Sequence, residues 1–175
     1  GGNELTNVTG KCTVEMSGGT IGVPRTLAQI AAHPVTCYLF GAGKGDPRVM
    51  FNKQTNVKDV EVNVTGGWVY GSVFGGGEDG HVMRNVTLNI SGNEVDKTKT
   101  SAEAYKDLYA GNAIKIGTWG TSYVDGNIFG GGRGFSGEAQ TAGTVGGNVK
   151  VNISGGKMLG SIYGGGRLAS VGTMF

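Results

Sequence analysis

Apolar and polar residues alternate strictly in four stretches of the chain. Cys12, Val14 and Met16 alternate with Thr13, Glu15 and Ser17, and Val60, Val62 and Val64 with Glu61, Asn63 and Thr65. Val86, Leu88 and Ile90 alternate with Thr87, Asn89 and Ser91, and Val149, Val151 and Ile153 with Lys150, Asn152 and Ser154. A period of two is that of a β-strand with one buried face, and β-branched residues on that face favour the strand further. A glycine pair or its equivalent closes each stretch (Gly18-Gly19, Gly66-Gly67, Gly92-Asn93, Gly155-Gly156), where a positive φ permits a sharp corner.

A second short strand is predicted after each corner. Val69, Gly71 and Val73 alternate there with Tyr70, Ser72 and Phe74, and later copies read Val124, Gly126, Ile128 and Met158, Gly160, Ile162. The strand ends in a glycine run: Gly71-Ser-Val-Phe-Gly-Gly-Gly77 returns as Gly160-Ser-Ile-Tyr-Gly-Gly-Gly166, with weaker forms at Tyr38 to Gly43 and Asn127 to Gly132. The pairing of alternating strand, corner and glycine run therefore occurs four times. Fixed-period self-similarity marks units that bury a face only against their neighbours. The shortest interval, from Gly66 to Gly92, is one unit of roughly two dozen residues, the size of a β-helix coil.

The expected fold is all-β: a parallel β-solenoid (β-helix) of about four or five coils, forming one domain over residues 1–175, with two short helical insertions near 20–35 and 94–122. Pro24 to His33 reads as one helix, with proline in its first turn and Pro34 ending it. Ser101 to Asn112 reads as the other, with Thr100 as its cap and Glu103 as the capping-box partner. Both insertions are expected between first and second strand. Gly1-Gly2 resembles the tail of a preceding glycine run, and the chain reads as part of a longer repeat protein.

Composition narrows the function classes. Glycine supplies 36 of 175 residues and proline 3, without the Gly-X-Y period of collagen. The alternating valines supply a core that low-complexity disorder lacks. A net charge of +2 from 15 scattered basic and 13 acidic residues gives no footprint for nucleic acid, and no apolar run reaches membrane-spanning length.

Candidate chemistry is sparse. Cys12 and Cys37 both fall at inward positions of the first copy, where a disulfide and two buried thiols are alternatives. Five Asn-X-Ser/Thr sequons start at Asn7, Asn63, Asn85, Asn89 and Asn152. Asn63, Asn89 and Asn152 share one repeat position, which points to an amide ladder between units rather than to glycosylation. Gly75 to Gly80 fits Gly-X-Gly-X-X-Gly, but no helix pattern follows it and no βαβ unit surrounds it. Asp79 has no counterpart beside Gly132 or Gly166, which argues against a calcium ladder.

Phe40, Phe74, Phe129 and Tyr163 share the position before the glycines, on the face opposite Leu39, Val73, Ile128 and Ile162. Repeated units would place these rings in a column. Exposed, it is a candidate platform for sugar rings; otherwise the rings pack on one another. Polysaccharide lyases and hydrolases also use β-helices and need clustered carboxylates. Here Glu15, Glu61 and Asp125 occupy different repeat positions, and His33 and His81 lack evident carboxylate partners, so no catalytic residue, metal ligand or cofactor site is assigned.

Through Asn85 to Gly92, Asn148 to Gly156, Gly71 to Gly77 and Gly160 to Gly166, the chain resembles the glycine-rich β-solenoid repeats of large secreted surface adhesins of Bacteroidetes-like gut bacteria. The resemblance covers nearly the whole chain outside the insertions. It implies an extracellular or cell-surface adhesin, stalk or fibre segment, read here as a non-catalytic structural or adhesive module with glycans or other surface proteins as partners; unpaired strand edges would in addition permit head-to-tail self-association. It carries over no catalytic residues. The alternative is a carbohydrate-active β-helix enzyme or a phage tail-spike-like protein.

Overall fold

The computed structural model describes residues 2, 4, 6–23, 26, 28–29, 37–45, 55–92, 114–118, 126–134 and 142–172. Among them the chain is mostly β-strand with almost no helix, and its eleven strands pair only in parallel. They are β1 (Val8–Ile21), β2 (Leu39–Phe40), β3 (Asn56–Val69), β4 (Val73–Phe74), β5 (His81–Val82), β6 (Val86–Ile90), β7 (Lys115–Ile116), β8 (Ile128–Phe129), β9 (Val149–Ile153), β10 (Lys157–Met158) and β11 (Ile162–Tyr163). A larger, curled sheet runs β10-β7-β3-β6-β9, with β1 and β5 also paired to β3, and a smaller sheet runs β11-β8-β4-β2.

Register follows the repeat. Cys12 pairs with Val60, Val60 with Val86 and Val86 with Val149, so like positions of the four alternating stretches lie side by side. The position before the glycines runs Phe40, Phe74, Phe129, Tyr163 across the smaller sheet. A valine position that sequence reading passed over runs Val8, Val57, Val82, Val145, Val171 through strand pairs and isolated bridges. With period two in the strand, a one-residue slip would put Glu61 and Lys150 on the core face. In register, that face holds Val62, Val64, Leu88 and Ile90, all fully buried.

The corners are where glycine was expected. Gly19, Gly67 and Gly156 have φ of 80°, 95° and 91°, a region closed to most side chains. Because β1 and β3 continue through their corners, β3 pairs with β6 before Gly67 and with β7 after it, at Trp68↔Lys115. The predicted second strand is thus two pieces: Val69 ends β3, and Val73–Phe74 form β4.

The glycine runs answer a different demand. A Cβ on Gly75 would lie 2.3 Å from the Gly130 carbonyl oxygen and 2.6 Å from a Val86 methyl, and one on Gly130 would lie 2.5 Å from the Gly164 oxygen and 2.4 Å from a Val149 methyl. Backbone of the smaller sheet here touches the valines of the larger one, leaving no room for a side chain. Gly2 sits against Gly43 as Gly76 does against Gly132 and Gly131 against Gly166.

The insertions are corrected in part. Thr20 and Ile21 belong to β1, and among the described residues of the first insertion Ala28 and Gln29 are helical. Thr26 N–H donates to Gln29 Oε1 at 2.9 Å, and Gln29 N–H donates to Thr26 Oγ1 at 3.3 Å, a reciprocal capping box with Thr26 as the cap; the predicted Pro24 lies outside the described residues. The stretch near 94–122 is interrupted by β7, and the predicted Ser101 to Asn112 helix lies outside the described residues. Residues 22–38 follow the corner-side piece of β1 whereas 93–113 precede its counterpart β7, so the two insertions do not occupy the same place in the repeat. Among the described residues no helix is long and apolar enough to cross a membrane.

Candidate functional site

The four aromatic candidates are brought together. Phe40 and Phe74 stack with ring centroids 4.8 Å apart, Phe74 and Phe129 at 4.9 Å, and Phe129 and Tyr163 at 4.9 Å, all within 15° of parallel. Tyr38 meets Phe40 and Phe74 edge-on at 5.9 and 5.7 Å. The strand spacing of 4.7–4.9 Å dictates this distance: like side chains on paired parallel strands sit one strand apart. Val73 and Ile128 join the main core on the other face, as the alternation predicted.

An exposed platform over the whole column is not what forms. Phe74 is fully buried and Phe129 nearly so, while Phe40 is half-buried and Tyr163 is 47% exposed. The middle rings present their faces to one another, and the column is most open to solvent at its Tyr163 end.

Polar side chains at repeat positions are likewise engaged from copy to copy. Asn89 Nδ2 donates to Asn63 Oδ1 at 2.8 Å, and Asn152 Nδ2 donates to Asn89 Oδ1 at 2.7 Å. Asp59 accepts the Asn85 N–H at 3.2 Å, and Asn85 Oδ1 accepts the Asn148 N–H at 2.9 Å. Ser72 Oγ accepts the Asn127 N–H at 3.0 Å, and Asn127 Oδ1 accepts the Ser161 N–H at 2.8 Å. Asn7 Oδ1 accepts from both the backbone and side chain of Asn56. Every sequon asparagine thus has its amide in a contact between copies.

Cys12 and Cys37 are not bridged to each other. Cys12 packs in the core at mid-strand, whereas Cys37 lies against Gly22 and Gly71, past the end of β1. A disulfide requires Cα atoms within about 7 Å, and the run from Cys12 to Gly22 separates the two.

His81 is buried, with Nδ1 2.8 Å from Thr144 Oγ1 and accepting the Thr144 N–H at 3.3 Å. Burial draws its pKa down to about 4, so the imidazole is neutral near pH 7. On the surface, Lys11 pairs with Glu61 and holds that carboxyl below its ordinary range. Arg133 lies 3.5 Å from Glu78 and 5.1 Å from the Tyr38 ring centroid. His33 and Asp125 lie outside the described residues. Among the described residues no three His, Cys, Asp or Glu side chains group as a metal site requires.

One cluster escaped sequence reading. Trp68 stacks on Tyr70 at 4.2 Å, Lys115 Nζ sits 4.7 Å from the Trp68 ring centroid, and Trp68 Nε1 donates to Gly117 O at 3.0 Å. The i, i+2 spacing of Trp68 and Tyr70 was a usable signal. Lys115 was not, because it arrives from beyond an insertion. No family model, curated protein or solved structure matches this chain.

Proposed function

We propose that this chain is a non-catalytic structural or adhesive module of an extracellular cell-surface or fibre protein, wound as a parallel β-solenoid in which each copy of the repeat is one coil. The observation that carries this reading is the direction of the side-chain bonding: the Asn63-Asn89-Asn152 ladder, the Ser72-Asn127-Ser161 ladder and the ring column all run from copy to copy. Further support comes from the chain's passage between the two sheets in the same order in every copy. Side chains used this way stiffen a rod along its axis. The extracellular placement rests on the resemblance of the repeat phrase to surface adhesins.

Adhesion falls to what this bonding leaves at the surface, namely the Tyr163 ring and the half-exposed Trp68 and Tyr70, with glycans or other surface proteins as partners. The test is incubation of the purified chain with host and plant polysaccharides, scoring retained protein together with released reducing ends or unsaturated products. Retention without product supports an adhesive module, and neither supports a stalk or fibre segment. Released product would overturn the non-catalytic reading.

A further inference from the structure

Rows of outward residues run across the larger sheet from copy to copy. One repeats asparagine at Asn63, Asn89 and Asn152, and another varies among small polar and charged residues at Thr13, Glu61, Thr87 and Lys150. Beyond the glycine corner the outward row reads Thr20, Trp68, Lys115, Lys157, and two residues further on the register places Gly22, Tyr70, Gly117 and Leu159. Here one copy turns two aromatic rings outward where the repeat elsewhere supplies polar groups or glycine. Departures from a locally consistent pattern concentrate at functional sites. Trp68 and Tyr70 are half-buried, with β1 paired on one side of β3 and β7 on the other, so what they show to solvent belongs to the outer face of the sheet and not to an edge.

The ring pair is set before any ligand arrives. Trp68 stacks on Tyr70 with 24° between the ring planes, Trp68 Nε1 is committed to Gly117 O at 3.0 Å, and Thr118 Oγ1 donates to Tyr70 O at 3.2 Å. Rings already held in place lose little freedom on binding, and an outward aromatic pair is a surface on which the apolar face of a sugar packs. Charge selects the kind of sugar. Lys115 and Lys157 are directly paired in register on β7 and β10, one strand spacing apart on the same face, and like charges so placed repel. Lys115 is 6% exposed and its Nζ lies 4.7 Å from the Trp68 ring centroid, where little water weakens its field. A ligand that brings negative charge to the ring pair complements this doublet.

We infer that Trp68, Tyr70, Lys115 and Lys157 form a binding site for an anionic glycan. One sugar ring packs on the Trp68–Tyr70 pair, and a carboxylate or sulfate on that sugar or its neighbour is drawn toward the two lysines. Lys115 is also a positioning residue, since its ammonium over the indole holds the ring as the Gly117 carbonyl does. The inference rests on the adhesive reading above and names the ligand class of that surface.

The probes are an oligogalacturonate, a heparin oligosaccharide and a neutral cello-oligosaccharide of equal length, each titrated into the intact chain by calorimetry. Saturable binding of an acidic probe is expected, about tenfold tighter than the neutral one and weakening as salt is raised. Which acidic probe binds tells a carboxylate ligand from a sulfated one. Tyr70→Ala should weaken binding by about tenfold. Lys157→Gln should shrink the preference for the acidic probe without lowering the melting temperature, because it relieves a like-charge pair; it keeps the proposal testable if Tyr70→Ala does not fold. Lys58→Gln removes one exposed charge at a different corner and should bind as the wild type does. Absence of binding by both acidic probes, equal binding of the neutral one, or an equal loss on Lys58→Gln would overturn the proposal. Retention on neutral polysaccharides alone would overturn it and leave the adhesive reading in place, whereas released product would overturn that reading.

Discussion

Replacing Phe74 with alanine separates a ring column that holds the fold together from one that merely decorates it. Phe74 is fully buried, stacked at 4.8 and 4.9 Å on Phe40 and Phe129, and met edge-on by Tyr38 at 5.7 Å. Deleting a buried phenylalanine side chain costs about 3–5 kcal/mol through lost transfer and the cavity left behind, of which each stacked pair accounts for about 0.5–1.5 kcal/mol beyond its area. Phe74→Leu retains most of the apolar burial and loses the stacking, so its cost is about 1–3 kcal/mol on the same bookkeeping. Tyr163→Ala removes a half-exposed ring with a single stacked neighbour and should cost about 1 kcal/mol. Urea unfolding followed by circular dichroism reads all three, with the slope of the transition checked for each variant. The order Phe74→Ala, Phe74→Leu, Tyr163→Ala is the expected one. A Phe74→Ala loss no larger than that of Tyr163→Ala would refute the argument, because burial and stacking would then count for nothing.

The asparagine ladder makes a graded prediction. Asn89→Ala removes two amide bonds and should cost about 1–3 kcal/mol, while Asn152→Ala removes one and should cost about half as much, measured by the same unfolding. The neutral His81 predicts an acid limb. Its folded pKa of about 4 lies below the ordinary 6.5, so its contribution is fully present above about pH 6.5 and is lost as the pH falls toward 4. At ~1.4 kcal/mol per pH unit this amounts to about 3 kcal/mol; His81→Gln should flatten the melting temperature in that window, and an unchanged slope would reject the assignment. Leu168 holds a left-handed φ of 51°, as Asp79 does at 56° in the same position of another copy. Relieving it with Leu168→Gly should stabilise the fold by about 1 kcal/mol, seen as a rise in melting temperature. Leu88→Asp buries an unpaired charge and should unfold the chain, whereas Val151→Asp, at a half-buried position of β9, should be markedly milder; equal melting of the two would contradict the observed burial.

Much of the architecture could be read from the chain because its information is local and repeated. Alternation at Val60 to Thr65 and its three counterparts specified strand and buried face together, since period two leaves one register that keeps the charges out. The ring column and the Asn63-Asn89-Asn152 ladder followed, because like positions on paired parallel strands must meet. Sequence could not place β7, a two-residue strand between stretches that obey no repeat, nor show that the predicted second strand breaks at Gly71. Those were settled by pairing across 47 positions, from Trp68 to Lys115. The same limit hid the fate of Cys12 and Cys37: alternation turns both inward, but only the path through the Gly19 corner carries Cys37 away from Cys12. Exposure of the rings was equally a tertiary matter. Parity put Phe74 opposite the main core and so suggested solvent, yet the rings of adjacent copies and Tyr38 enclose it. The sequence thus determined which residues share a face, through a periodicity intrinsic to the backbone. Only the folded chain decided what covers each face, because covering depends on neighbours distant in sequence.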